Sequence, residues 1–100
     1  MNTIMQRNTD VCFLCGKTAN YQDGPLDWHH AFGGARRKKS ETYGLVIRLH
    51  HSKCHLYGKK AVHNNSETAE EIHRIAQVCA MQQYDMDEDD FRGLFGKSYV

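Results

Sequence analysis

Proline is nearly missing from this sequence, with a single residue at Pro25, and no segment is of low complexity. A proline-rich, fibrous or disordered chain is thereby excluded. Long apolar runs are missing too, and none approaches the roughly 20 residues that cross a bilayer, so no membrane association is expected. The opening Met1 to Asp10 contains Gln6, Arg7 and Asn8 and lacks the apolar core of a secretory signal. The expectation is a cytoplasmic protein with reduced cysteines. Net charge is almost absent, at +1. What is present is a chain of 100 residues, 40% hydrophobic, which suffices for one small domain but not for a large core. Four cysteines and seven histidines indicate how such a domain is stapled, because cysteines in so short a chain belong to disulfides or to a metal site.

The low net charge conceals an asymmetry. Residues 36–60 hold Arg36, Arg37, Lys38, Lys39, Arg48, Lys53, Lys59 and Lys60 against Glu41 alone, a local charge of +7. Residues 61–100 carry −5. A basic middle in a neutral chain reads as the footprint of a polyanion, the competing reading being a solvated loop.

Val11 to Gly16 reads Val-Cys-Phe-Leu-Cys-Gly, a tight turn whose two thiolates can face one ion. A thioredoxin-like redox pair would need a long helix after it, and Thr18 to Gly24 has no such pattern. Asp23, Gly24 and Pro25 make a turn. Leu26, Trp28 and Phe32 then alternate with Asp27, His29 and Ala31, which is the period of a strand. Gly33 to Thr42 reads as a basic loop. Leu45 to Leu49 is a second strand, and a short helix is expected over about His51 to Tyr57 with Gly58 as a left-handed stop. Thr68 to Glu71 has the form of a capping box, and Ile72, Ile75, Ala76 and Cys79 follow at helical spacing. Asp87 to Phe95 reads as a last helix, acidic in its first turn, closed by Gly96 and turning Phe91, Leu94 and Phe95 to the core.

The same periodicity puts Cys79 in the core. Three cysteines then remain, and a tetrahedral zinc site needs a fourth ligand. Cys12, Cys15 and Cys54 with either His50 or His51 would make a closed Cys3His site, both histidines being one helical turn from Cys54. His29, His30, His55 and His63 form a second set. Adjacent strand residues point to opposite faces, so one of His29 and His30 can bind an ion while the other stays free as a proton acceptor. His73, among Glu70, Glu71 and Arg74, reads as a solvent-exposed or hydrogen-bonded histidine away from these ligands.

The segments Cys-Phe-Leu-Cys15, Asp-Trp-His-His-Ala-Phe-Gly-Gly34, Leu-Val-Ile-Arg-Leu-His-His-Ser-Lys-Cys-His55 and Ala-Val-His63 resemble the HNH nucleases, particularly the small bacteriophage type. The resemblance runs from Cys12 to about His63, and the ending Phe91 to Val100 is also similar to such phage proteins. It implies an α+β chain with a ββα-metal, treble-clef-like core at 12–63, zinc knuckles, and a C-terminal helical extension at 66–100, all in one domain. By position, His29, His55 and His63 match ligands of a catalytic metal, His30 matches the general base, and His50 is favoured over His51 for the structural zinc. The family's middle asparagine has no counterpart between Ala31 and Leu49, so the tie it provides falls to Ser40 or Thr42.

The implied activity is metal-dependent hydrolysis of DNA phosphodiester bonds, with Arg36, Arg37, Lys38 and Lys39 holding phosphates. The catalytic ion would be Mg2+ by abundance, or Mn2+, Ni2+ or Zn2+, which suit imidazole better. The resemblance further implies a phage or prophage protein in a bacterial host, with packaging or recombination proteins as partners. The alternatives are a zinc-stabilised nucleic-acid-binding module without chemistry, or a phage adaptor.

Overall fold

The computed structural model describes residues 1–100. Strand β1 (Leu26–His30) leads through a 3-10 turn, Gly34–Arg36, into helix α1 (Arg37–Thr42). Strand β2 (Val46–His50) follows, then a π-helical turn, His51–Leu56, a 3-10 turn, Val62–Asn64, and helices α2 (Ser66–Gln83) and α3 (Glu88–Phe95). The class is α+β, as expected. No helix is long and apolar enough to cross a membrane.

β1 and β2 pair antiparallel, Leu26 opposite His50 and His30 opposite Val46. This register decides which side of β1 is buried. His29 lies opposite Ile47, a fully buried member of the core, and is itself buried. Trp28 lies opposite Arg48 on the other face, where the guanidinium sits 4.9 Å over the indole ring. A partner strand with an arginine on one face and a core isoleucine on the other thus turns His29 inward and leaves Trp28 under Arg48.

The core joins β2 to both long helices: Leu45, Ile47 and Leu49 meet Ile72, Ala76 and Ala80 of α2 and Phe91 and Phe95 of α3, with Phe32 among them. β2 is buried on both faces except at Arg48, which explains its unbroken apolar run. Phe32 stands 4.8 Å from Phe95 and 5.6 Å from Phe91 by ring centroids, the tilted and edge contacts aromatic rings favour.

The basic segment read as a loop is helical. α1 has no apolar stripe to announce it, and its only buried residue is Ser40. The Ser40 hydroxyl accepts from the Phe32 amide at 3.1 Å and donates to the Phe32 carbonyl at 2.8 Å, so one side chain fastens α1 to the end of β1. Ser40 thus supplies a tie between strand and helix, whereas Thr42 bonds back to Lys38 in its own helix.

α2 begins earlier than Thr68. Asn65, in extended backbone, caps it by accepting from the Thr68 amide at 3.1 Å, and the Thr68 to Glu71 capping box does not form. Its buried face is Ile72, Ala76, Gln77 and Ala80. Cys79 lies on the flank, half-buried beside Ile75, Val78 and Val100, a correction to its core placement. Gln77 takes the inward position because its amide is satisfied, donating to Ser98 at 3.0 Å and accepting from the Tyr99 amide at 2.6 Å, which docks the C-terminal tail.

α3 matches its sequence signals. Asp87 and Asp90 cap each other reciprocally and Gly96, at φ +83°, ends the helix in left-handed backbone. After the π-helical turn, by contrast, Gly58 is not left-handed. It is required for space, because a side chain there would collide with the Lys53 carbonyl.

Candidate metal centres and histidine cleft

The knuckle at residues 12–16 folds as the Gly16 amide donates to the Cys12 carbonyl at 2.9 Å and the Cys12 amide to the Lys17 carbonyl at 2.9 Å. Cys12 and Cys15 then face the end of β2 and the π-helical turn, where Cys12, Cys15, His50 and Cys54 come together with all ligand atoms within 4.8 Å of one another. His50 Nδ1 stands 3.2 Å from Cys15 Sγ and 4.0 Å from Cys54 Sγ. Its Nε2 lies 2.7 Å from the Thr18 carbonyl. That carbonyl accepts only, so the proton sits on Nε2 and the lone pair of Nδ1 faces the thiols. These four residues could hold a zinc ion.

The thiols show why a cation suits them. Burial raises the Cys54 thiol, and the neighbouring Cys12 and Cys15 raise it further. Burial also opposes ionisation of Cys12, but backbone amides at Cys15, His50 and Leu14, aided by the Cys54 thiol, outweigh it and bring Cys12 below its ordinary value. Without a cation Cys54 resists ionisation beside Cys12; a zinc ion would offset two of the three thiolate charges.

His51 is not in this cluster. Its Nδ1 donates to Asp27 Oδ2 at 2.6 Å, and the same oxygen accepts from His55 Nδ1 at 2.9 Å. Asp27 and His29, two residues apart on β1, share a face, and the π-helical turn brings His55 to both. The His29, His55 and His63 rings cluster with centroids 4.7–5.2 Å apart, and their ligand atoms form a second group within 4.8 Å. His55 Nε2 and His63 Nε2 approach to 3.1 Å. Because Asp27 holds the proton of His55 on Nδ1, the Nε2 facing His63 carries a lone pair, the form a metal ligand needs. Burial, helped by His55 and His63, pushes His29 down to about 3, and burial likewise lowers His63. Both rings thus resist protonation. Three imidazoles with convergent nitrogens fit a divalent transition metal better than magnesium.

His30 faces the same cleft of about 430 Å³, which His29, Arg37, His55, His63 and His73 also line. His30 Nε2 lies 2.8 Å from Glu41 Oε1, and this bond lowers the Glu41 carboxyl below its usual value. His73 lines this cleft with the other histidines rather than lying away from them. It stacks on Phe32 and leans on Tyr99, at centroid distances of 5.1 and 4.6 Å, and burial lowers its pKa.

The basic run divides. Lys39 Nζ donates to the Leu94 carbonyl at 2.8 Å, and the Arg36 guanidinium covers Gly96 so closely that an added Cβ would lie 2.6 Å from it. Both cations thus serve the C-terminus of α3, where free carbonyls and the helix dipole favour them. Arg37 and Lys38 are exposed, and of the four only Arg37 lines the cleft. Of the four basic residues Arg36, Arg37, Lys38 and Lys39, Arg37 and Lys38 are thus the two not engaged at α3.

Two residues that bear on the site were not singled out from sequence. Asp27 had a signal, since it precedes His29 by two on a strand and must share its face. Glu41 had one as well, as the sole acid in the basic stretch. Protein-family models, curated proteins and solved structures offer no match to the chain.

Proposed function

We propose that the protein is a metal-dependent endonuclease of the HNH type that hydrolyses DNA phosphodiester bonds, with a structural zinc on Cys12, Cys15, His50 and Cys54. The observation that carries this reading is the pairing of His30 with Glu41 in the cleft that also gathers His29, His55 and His63. A binding module needs one closed metal site; a hydrolase needs an open one with a base beside it.

In this reading His30, with Nε2 held by Glu41, takes a proton from water at Nδ1. The Glu41 carboxylate stabilises the imidazolium that results, as an acid partner does for a catalytic histidine. The hydroxide attacks phosphorus in line, the bond from phosphorus to the 3′ oxygen breaks, and the departing oxygen gains a proton from solvent. A divalent cation on His29, His55 and His63 would supply Lewis-acid stabilisation for the charge growing on the phosphate. Arg37 binds a flanking phosphate by charge, without reading sequence. Ser40 holds α1, and with it Glu41, against the end of the strand that carries His30.

Plasmid nicking by zinc-loaded protein across Mg2+, Mn2+, Ni2+ and added Zn2+ tests the reading. Cleavage is expected, strongest with ions that favour imidazole. DNA binding without cleavage under every ion would replace the nuclease by the binding module.

A further inference from the structure

The positive charge of residues 36–60 has a second location. With Arg36 and Lys39 engaged at α3, Arg48 over Trp28 and Lys38 exposed on α1, Lys53, Lys59 and Lys60 are the remaining cations outside the cleft. All three are exposed. They gather round one groove of about 270 Å³ whose other walls are Leu14, Cys15 and Cys54.

This gathering is built into the backbone. The amides of Tyr57 and Gly58 both return to the Ser52 carbonyl, at 2.8 and 3.0 Å, and Gly58 lies on the Lys53 carbonyl where no side chain fits. Asn64 donates to the Gly58 carbonyl and Asn65 to the Lys59 carbonyl, each at 3.2 Å. The segment carrying Lys59 and Lys60 is therefore fastened beside Lys53. Opposing charge is small. Asp23 lies 4.0 Å from the Lys53 ammonium, and Lys59 and Lys60 make no ion pair. A zinc ion on three thiolates and an imidazole leaves one negative charge, too little to balance three ammoniums.

We propose that Lys53, Lys59 and Lys60 form a second contact for the phosphate backbone of a nucleic acid, on the zinc side of the π-helical turn. The proposal rests on the nuclease reading for its ligand class. The turn joins the two places: Lys53 and Cys54 border the groove while His55, next in sequence, borders the cleft. A strand whose scissile phosphate lies in the cleft meets the lysines with a phosphate further along. Ammoniums act there as point charges, so affinity is gained for any sequence and falls with salt.

The test compares duplex DNA binding of His30→Ala protein, which blocks cleavage, with the same protein carrying Lys53→Ala, Lys59→Ala and Lys60→Ala. Both are zinc-loaded, and cobalt-substituted samples report the thiolate site by absorption. The lysine variant should bind about 10-fold or more weaker near 0.1 M salt, with the slope of log affinity against log salt shallower by about 2 to 3. Its cobalt spectrum should be unchanged. Equal affinity and slope would overturn the proposal, as would a loss of affinity that appears only with an altered cobalt spectrum. If the triple variant does not fold, Lys59→Ala with Lys60→Ala decides by a slope shallower by about 1 to 2. Hydrolysis of bis(p-nitrophenyl) phosphate, with His30 intact, reports the cleft separately. It should be equal with and without the lysines, and its absence in both would strike the nuclease reading while the binding slopes still judge the groove.

Discussion

Asp27 Oδ2 accepts the Nδ1 proton of His55 at 2.9 Å, and this bond turns the opposite nitrogen of His55 toward His63. A carboxylate behind a histidine ligand fixes its tautomer and raises its basicity. Asp27→Ala should therefore weaken metal binding at His29, His55 and His63 by about 10- to 100-fold, with Asp27→Glu recovering part of the loss. Competitive metal titration measures this, with the thiolate site monitored by its cobalt absorption. Unchanged affinity in Asp27→Ala would remove the residue from the site.

The thiolate cluster separates two neighbouring histidines. His50→Ala should lose tightly held zinc and the cooperative thermal transition, as Cys12→Ala should, because a closed site in a domain this small contributes folding free energy directly. His51→Ala should keep its zinc, since His51 bonds to Asp27. Elemental analysis after dialysis, with thermal unfolding, checks both. Zinc retained in His50→Ala would contradict the ligand assignment.

Lys39 and Arg37 should part company in the same way. Lys39→Ala removes a charged donor from the Leu94 carbonyl and should cost about 1 kcal/mol or somewhat more, a fall in Tm of several degrees, with little effect on DNA binding. Arg37→Ala should leave Tm unchanged and weaken binding. Thermal melts and anisotropy titrations of the two variants decide it, and equal behaviour would return the basic run to a single role.

His73 carries an acid sensitivity. Its folded pKa is depressed from 6.5 by burial, with Lys97 adding to the depression and Glu70 opposing it. The unfolded chain therefore takes up the proton first. The contribution of the neutral ring to stability is complete above 6.5 and is lost as pH falls below it. His73→Phe, which keeps the stacking on Phe32 and Tyr99, should lose less stability than the wild type between about pH 7 and about pH 5. Parallel curves of Tm against pH would refute this; zinc loss at low pH affects both proteins alike.

The parts legible in sequence were those written in local spacing. Cys12 with Cys15, and His50 with Cys54, each read as a ligand pair because their spacing is short-range, and α3 is bounded by Asp87 and Gly96, whose capping roles need no tertiary context. The unbroken run Leu45 to Leu49 marks a buried strand. α1 was not legible, since nothing periodic marks a helix held by one buried hydroxyl. The facing of β1 depends on its register against Ile47 and Arg48, which the alternation of β1 alone cannot supply. Arg36 and Lys39 read as one patch with Arg37 and Lys38 until a helix separates them, placing residues three apart on the side toward α3. The grouping of His29, His55 and His63 came from family resemblance rather than spacing, because His29 is separated from His55 by α1 and β2.

The central claim is that His30 removes a proton from water while its neighbour His29 holds a metal. Metal titration followed by nicking at saturating metal, on His30→Ala and His29→Ala in parallel, tests it most directly. His30→Ala should keep the fold, both metals and DNA affinity while cleavage falls by roughly two or more orders of magnitude; His29→Ala should bind the second metal weakly and regain activity in part as its concentration rises. Full cleavage by metal-saturated His30→Ala would contradict the account.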